Sequence, residues 1–382
     1  MEVKNNYQEC LTNLACSIRK YFELKYKHNT IDYIDKELKS YNPKNVVLFL
    51  FDGMGSNIID RILPEDSFFI KNRIKAITTV FPATTVAATT SITTGLNPIE
   101  TGMLGWDMYY KDLDKIITVF LNTEKGKEEP LEEAKLYNRK HMIRKTIMEE
   151  INEQGKYQAY HLDPFSKEKY TSLDELLEKV ESLCKKDGKK FIYAYDMEPD
   201  SSMHALGCDS DTVKKLIFER NKKIEILSRK LEDTVIIVVA DHGHLNVINE
   251  HLEDYKDIEE CLLRNTSIEP RAVNFFIKED KKELFFERFL NHFSSSFDLY
   301  SMEEVLESRL FGDGEENEII KDTLGDYLAI GKTNKAILYQ GSHVLKSQHA
   351  GYTDDEILVP LILTKTKKIN RKGWFIKKKK IL

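Results

Sequence analysis

The chain has 382 residues, 41% hydrophobic and 31% charged, with a formal net charge of −6. That length buries a large core in one or two domains, the balance is that of a globular protein, and the acidic excess leaves no basic field to hold a nucleic-acid polymer. The five cysteines (Cys10, Cys16, Cys184, Cys208, Cys261) are odd in number, scattered and form no CxxC, which favours a reducing compartment over a disulfide scaffold. The first twenty residues lack the apolar segment of a secretion signal. No apolar run is long enough to span a bilayer. The expected location is cytoplasmic.

Residues 7–27 mix apolar and charged residues at helical spacing and predict an amphipathic helix, within an N-terminal helical segment covering 1–40. Asn42-Pro43 signals a turn. Asn45–Phe51 (NVVLFLF) is a continuous apolar run, as expected of a strand buried on both faces, and it ends in Asp52-Gly53-Met54-Gly55. Residues 56–63 read as a short helix and 74–81 as a second strand. This strand feeds FPATTVAATTSITTGLNPIETG at 81–102, read as a turn followed by a tightly packed helix ending at Gly95. Thr84 and Thr85 then lie on the first turn, where free N–H groups and the helix dipole favour an anion. A threonine oxygen there becomes a nucleophile once its proton is removed, and metal coordination is one means.

From 105 to 137 the chain reads as an irregular surface excursion, rich in aromatic and charged residues. Helices are predicted at 139–154 and 173–187. Lys190–Tyr195 (KFIYAY) is a clear strand leading to Asp196 and on to His204. A long charged helix at 211–231 precedes Thr234–Ala240 (TVIIVVA), a strand ending in Asp241-His242-Gly243-His244. The pattern weakens over 250–340, with helices near 280–291 and 302–309, and suggests an inserted cap. It returns at GSHVLKSQHAG (341–351) and a last strand, Ile357–Leu363. The tail, 365–382, carries nine Lys or Arg and no acid. It reads as a solvated basic end, with a weak anionic-surface contact as the alternative.

Strands alternating with helices predict an α/β fold: a central, mainly parallel sheet flanked by helices, occupying 41–364 with cap segments at 105–137 and 250–340. Ligands in such folds bind beyond the carboxyl ends of the strands. Three buried strands here end in Asp52, in Asp200 and His204, and in Asp241 and His242. Mixed Asp and His donors suit zinc, with manganese or iron less favoured. Two ions about 3.5–4 Å apart clamp the attacking and leaving oxygens of a phosphoryl group. Seven positions would build such a site: Asp52, Thr85, Asp200, His204, Asp241, His242 and His349. Taken singly, each has a blander reading, such as a helix cap for Asp52 or a buried, bonded histidine for His242. Their coincidence carries the weight.

The segments DGMG (52–55), FPATT to TTGLNP (81–98), EPDSSMH (198–204), ADHGH (240–244) and SQHAG (347–351) occur in order. With them, residues from about 45 to 363 resemble the alkaline phosphatase superfamily, and within it the type I phosphodiesterase/nucleotide pyrophosphatase family. The resemblance implies an alkaline-phosphatase-like fold and two divalent ions, zinc before manganese. Asp52, Asp241 and His242 would hold one ion, which also contacts Thr85; Asp200, His204 and His349 would hold the other. Thr85 matches the family's spacing from Phe81-Pro82 better than Thr84 does. The implied chemistry is in-line attack by Thr85 on a small phosphate ester, nucleotide-like, through a phospho-threonine that is then hydrolysed at the second metal.

The chain also departs from the pattern. Where the family carries an Asn that binds a phosphate oxygen, this sequence has Trp106, and Ala87–Thr90 lacks the family's PNH or PNN triplet. A phosphomonoesterase or phosphonate hydrolase on the same metals is therefore the alternative, with a non-catalytic binding protein as the third reading. Trp106, Tyr109 and Tyr110 read either as a platform for an aromatic part of the substrate or as packing of the cap. Asp196, Glu198, His244 and His343 read as partners that orient ligands, or as exposed groups, and not as ligands.

Overall fold

A computed structural model describes residues 4–142, 144–165 and 169–368, so the basic tail lies almost wholly outside the described residues. The first helix, α1 (Leu11–Tyr21), is shorter than predicted. Glu23 enters the left-handed region (φ 59°), which turns the chain into a second helix, Asp32–Tyr41. The apolar run NVVLFLF is β1 (Asn45–Phe51), buried at every residue. After β2 (Arg73–Thr78) comes α2 (Thr85–Thr94), capped by Gly95 at φ 76°. Threonine is a poor helix former. Here the hydroxyls of Thr89, Thr90, Thr93 and Thr94 each donate to the carbonyl four residues back, and α2 packs on α1 so closely that a Cβ on Gly95 would lie 2.8 Å from Arg19 Cδ.

The stretch predicted as irregular forms β3 (Asp107–Tyr110), β4 (Lys115–Thr118) and β5 (Thr123–Glu124). Strands of two to four residues are too short for alternation to register. The predicted helix at 139–154 is instead two, Glu132–His141 and Ile147–Gln154, the second begun by a capping box at Thr146. Next follow β6 (Gln158–Leu162), which the sequence reading missed, and β7 (Lys190–Asp196). Helices α3 (Asp200–Leu206) and α4 (Asp211–Lys230) lead to β8 (Thr234–Val239). The weakly patterned region holds β9 (Ser267–Glu269), β10 (Ala272–Phe275), β11 (Phe297–Ser301) and β12 (Tyr327–Gly331), besides the helices Lys282–Phe293 and Met302–Glu307. The last strand is β13 (Leu358–Lys365).

The strands form two principal sheets. The central one runs β2-β13-β8-β1-β7-β6. Its pairs β8–β1, β1–β7 and β7–β6 are parallel, and β13 is antiparallel to both neighbours. The largest apolar cluster lies against this sheet. The second sheet, β11-β12-β10-β9-β3-β4-β5, is antiparallel and draws its strands from the two segments predicted as cap. A second apolar cluster joins it to the start of α2 through Phe81, Ala83 and Val86.

One buried ion pair links the cap to the central domain. Arg271, at the start of β10, and Glu356, just before β13, are both fully buried. Arg271 Nε and Nη2 donate to the two Glu356 oxygens at 2.6 and 2.8 Å. The same carboxylate accepts from the N–H groups of Gly351 (2.7 Å) and Thr353 (3.1 Å) and from the Thr353 hydroxyl (2.7 Å). A Cβ on Gly351 would lie 2.8 Å from Arg271 Nη2, so the final residue of SQHAG must be small.

Candidate active site

The three adjacent parallel strands β8, β1 and β7 deliver their carboxyl ends side by side, which places Asp241, Asp52 and the turn to Asp200 together. Close backbone approach makes this convergence possible. A Cβ on Gly55 would stand 2.5 Å from Gly243 Cα, so the turns after β1 and β8 touch only because both positions are glycine. Gly53, at φ 70°, lies against Asp200 in the same way. Thr85 is the first residue of α2 and is half-buried. Its Oγ1 lies 3.1 Å from His242 Nε2 and 3.4 Å from both Asp52 oxygens.

The histidines are oriented by the backbone. His204 Nδ1 faces the Ser347 carbonyl at 2.8 Å, His242 Nδ1 the Gly243 carbonyl at 3.0 Å, and His349 Nδ1 the Ala83 carbonyl at 3.1 Å. A carbonyl accepts only, so each Nδ1 carries the proton and each Nε2 keeps its lone pair for the site. Asp200, His204, His244 and His349 bring ligand atoms within 4.8 Å of one another, and Asp52, Asp200 and His242 do the same. His242 and His349 stack with centroids 3.8 Å apart, which brings the two groups into one centre.

Asp241 lies beside His242 at the same strand end. Its Oδ1 accepts from the N–H groups of Gly53 and His242, both at 3.0 Å. Its Oδ2 is buried without a hydrogen-bond partner, 3.6 Å from His242 Nε2. An orphaned carboxylate oxygen is costly, and a cation would satisfy it. Burial pushes the Asp52 carboxyl well above its ordinary range, and the nearby Asp241 and Asp200 push it further. Burial, with the neighbouring imidazoles, lowers His244 to about 4 and His349 well below its usual value, so both rings are neutral donors. Three converging carboxylates and neutral imidazoles, with no Lys or Arg bonded to these carboxylates among the described residues, fit divalent cations.

Of the residues the sequence left between an orienting and an exposed role, His244 is fully buried. Its Nε2 bonds Asp200 Oδ1 at 2.9 Å, its Nδ1 has no partner, and it stands among the ligand-competent group. Of the other leftover residues, Asp196 is bound to Arg220 at 2.6 Å, Glu198 caps Ser202, and His343 is exposed. Tyr195, unflagged in the sequence, donates its hydroxyl to Asp52 Oδ2. The signal was available: Tyr193 and Tyr195 alternate along β7 and face one side, and both line the pocket.

That pocket has a volume of about 550 Å³ and runs from Asp52, Thr85 and Asp200 outward to Trp106, Phe120, Leu121 and Phe165. Trp106 meets Phe120 edge to face at 6.0 Å. Tyr109 and Tyr110 take the packing role, against Phe276 and Tyr137 respectively. No Lys or Arg lines the pocket among the described residues, and His161, paired with Asp163 at 2.8 Å, is its one basic ring.

A profile of the type I phosphodiesterase/nucleotide pyrophosphatase family matches residues 46–351. Among solved structures, murine ectonucleotide pyrophosphatase/phosphodiesterase 5 is similar at a TM-score of 0.63 and 18% identity, over 85% of this chain and 91% of that one. An inactive threonine-to-alanine form of the murine protein in complex with AMP gives 0.61 at 18% identity, and the human counterpart 0.61 at 17%, over the same shares of each chain. These likenesses speak to the fold, which is alkaline-phosphatase-like. No curated protein matches the chain by sequence. The profile covers both halves of the site, from the end of β1 to His349, and on that ground the chain belongs to the type I phosphodiesterase/nucleotide pyrophosphatase family of phosphoric ester hydrolases.

Proposed function

We propose that this protein cleaves phosphodiester or pyrophosphate bonds of nucleotide-like substrates with Thr85 as nucleophile. The observation that carries the reading is Thr85 Oγ1 at the N-terminus of α2, 3.1 Å from His242 Nε2 and beside Asp52. Asp52, Asp241 and His242 would hold one divalent ion together with Thr85, and Asp200, His204 and His349 the other, with His244 backing Asp200. When bound, such ions neutralise phosphate charge and lower the pKa of hydroxyls and water; zinc suits the mixed Asp and His donors, and manganese is the alternative.

Thr85 Oγ1 forms the bond to phosphorus as the ester oxygen opposite leaves. With a cation held beside it Asp52 would be ionised, and its oxygens, 3.4 Å from Thr85 Oγ1, would be the nearest carboxylate to take the proton. The free N–H groups at the start of α2 face the charge that builds on the phosphoryl oxygens. Water then bonds to phosphorus from the vacated side, and Thr85 leaves with its oxygen restored. Tyr195 holds Asp52 throughout by its hydrogen bond. The apolar outer wall of Trp106, Phe120 and Leu121 favours a flat, uncharged substituent such as a base over a second phosphate.

The test is a paired assay of metal-loaded protein on a nitrophenyl nucleotide diester and nitrophenyl phosphate, with Thr85→Ala as control. The reading expects diester preference, no turnover in Thr85→Ala, and a phosphate mass on the peptide containing Thr85 after rapid acid quench. Monoester preference would replace it with a phosphomonoesterase, for which Trp106 in the place of the family's Asn is the favouring observation. Among the described residues no helix is long and apolar enough to cross a membrane. We propose a cytoplasmic setting from the scattered free cysteines, all five of which are buried and unpaired.

A further inference from the structure

Glu269 ends β9 and is buried between the cap sheet and the start of α2. Its Oε1 accepts two hydrogen bonds, from Thr84 Oγ1 at 2.5 Å and from the Trp106 N–H at 2.9 Å. Thr84 is the N-cap of α2 and precedes Thr85; Trp106 lines the substrate pocket. One carboxylate oxygen therefore ties the residue beside the nucleophile to the wall of the pocket.

The backbone on either side is shaped for this contact. Ile268 adopts φ 73°, a left-handed conformation that is strained for a β-branched residue. Gly105 passes so close to Ile268 that an added Cβ would lie 2.8 Å from its Cγ2 and 2.9 Å from its carbonyl oxygen. Burial pushes the Glu269 carboxyl up to about 8, against the hydrogen bonds it accepts. A leucine would fill the space without this desolvation cost, so the acid stands there for its oxygen.

We propose that Glu269 is a positioning residue that sets Thr85 against the Trp106 wall by holding Thr84 and the Trp106 backbone on one oxygen. Displacing either partner shifts the nucleophile relative to bound substrate, an error of under an ångström that in-line attack does not tolerate. The proposal rests on Thr85 being the nucleophile.

The experiment uses the full-length, zinc-loaded enzyme in a Trp374→Phe background, so that Trp106 is the one remaining tryptophan. Glu269→Ala is expected to lower kcat about 10- to 100-fold while KM moves less than about threefold. Metal content should stay at the parent level and Trp106 emission should shift to the red. Glu269→Gln keeps an acceptor oxygen and should restore both kcat and emission. Thr84→Val should lower kcat with Trp106 emission unchanged, and Thr84→Ser should restore it. A folded, metal-replete Glu269→Ala enzyme with parental kcat and emission overturns the proposal, as does a Gln variant no better than Ala. If Glu269→Ala does not fold, equal kcat in Thr84→Val and Thr84→Ser overturns it. Turnover surviving in Thr85→Ala defeats the nucleophile assignment instead, and the emission of Trp106 still reports whether Glu269 holds that residue.

Discussion

Replacing Arg271 by Met removes one partner of a wholly buried ion pair and leaves Glu356 charged with no cation beside it. Breaking such a pair costs about 3–5 kcal/mol, a large share of the roughly 5–15 kcal/mol that holds a domain folded. The three hydrogen bonds that Glu356 keeps from Gly351 and Thr353 place the expected loss near the lower end, about 3 kcal/mol. Equilibrium unfolding in urea, followed by far-ultraviolet circular dichroism, reads the loss as a lower midpoint at unchanged slope. The substitution should also weaken metal binding, because Glu356 fixes Gly351, two residues after His349. Titration of the chelated protein with zinc then shows the Asp200 and His204 side filling at higher concentration. A midpoint within about 1 kcal/mol of the parent would refute the energetic argument. A lowered midpoint with unchanged zinc affinity would refute the coupling of the pair to His349.

Chelation should destabilise the fold, since ions present at about 1,000 times their dissociation constant add roughly 4 kcal/mol of stability; a thermal midpoint unmoved by chelator and by added zinc would contradict two occupied sites. Asp241→Asn removes the negative charge on an orphaned buried oxygen and should reduce bound metal while raising the stability of the metal-free protein, measured by elemental analysis and thermal unfolding. His244→Ala should loosen Asp200 and lower zinc affinity, whereas His343→Ala, on an exposed loop, should leave it unchanged. Trp106→Ala should raise KM for an aromatic diester more than for a methyl one; equal effects would remove Trp106 from substrate binding.

The sequence disclosed the parts of the fold whose signal is local. β1, β7 and β8 are largely apolar strands of six or seven residues, and each leads within a few residues to an acid or histidine of the site: Asp52, Asp200 and Asp241. The cap sheet was illegible for a physical reason: β3, β4, β5 and β9 have two to four residues, too few for periodicity to show, and the pairing that joins β9 to β3 crosses more than a hundred positions. Glu269 followed from that blind spot, because its partners are Thr84 and Trp106 on other segments. His244 was visible in ADHGH but ambiguous, and only the 2.9 Å contact with Asp200 gives it a place.

The position of β13 bears on how the molecule is made. Residues 358–365 lie between β2 and β8, and no other strand among the described residues joins those two, so until they arrive the sheet is split into β2 alone and the β8-β1-β7-β6 group. His349 sits on the segment just before them. A chain growing from its amino end thus carries Thr85, Asp52, Asp200 and Asp241 off the ribosome well before the strand that joins β2, and the helix after it, to the rest. Long-range pairing of this kind is slow. A chain cut before residue 358 is therefore expected to leave β2 unjoined to the β8-β1-β7-β6 group and to lose activity outright rather than in part.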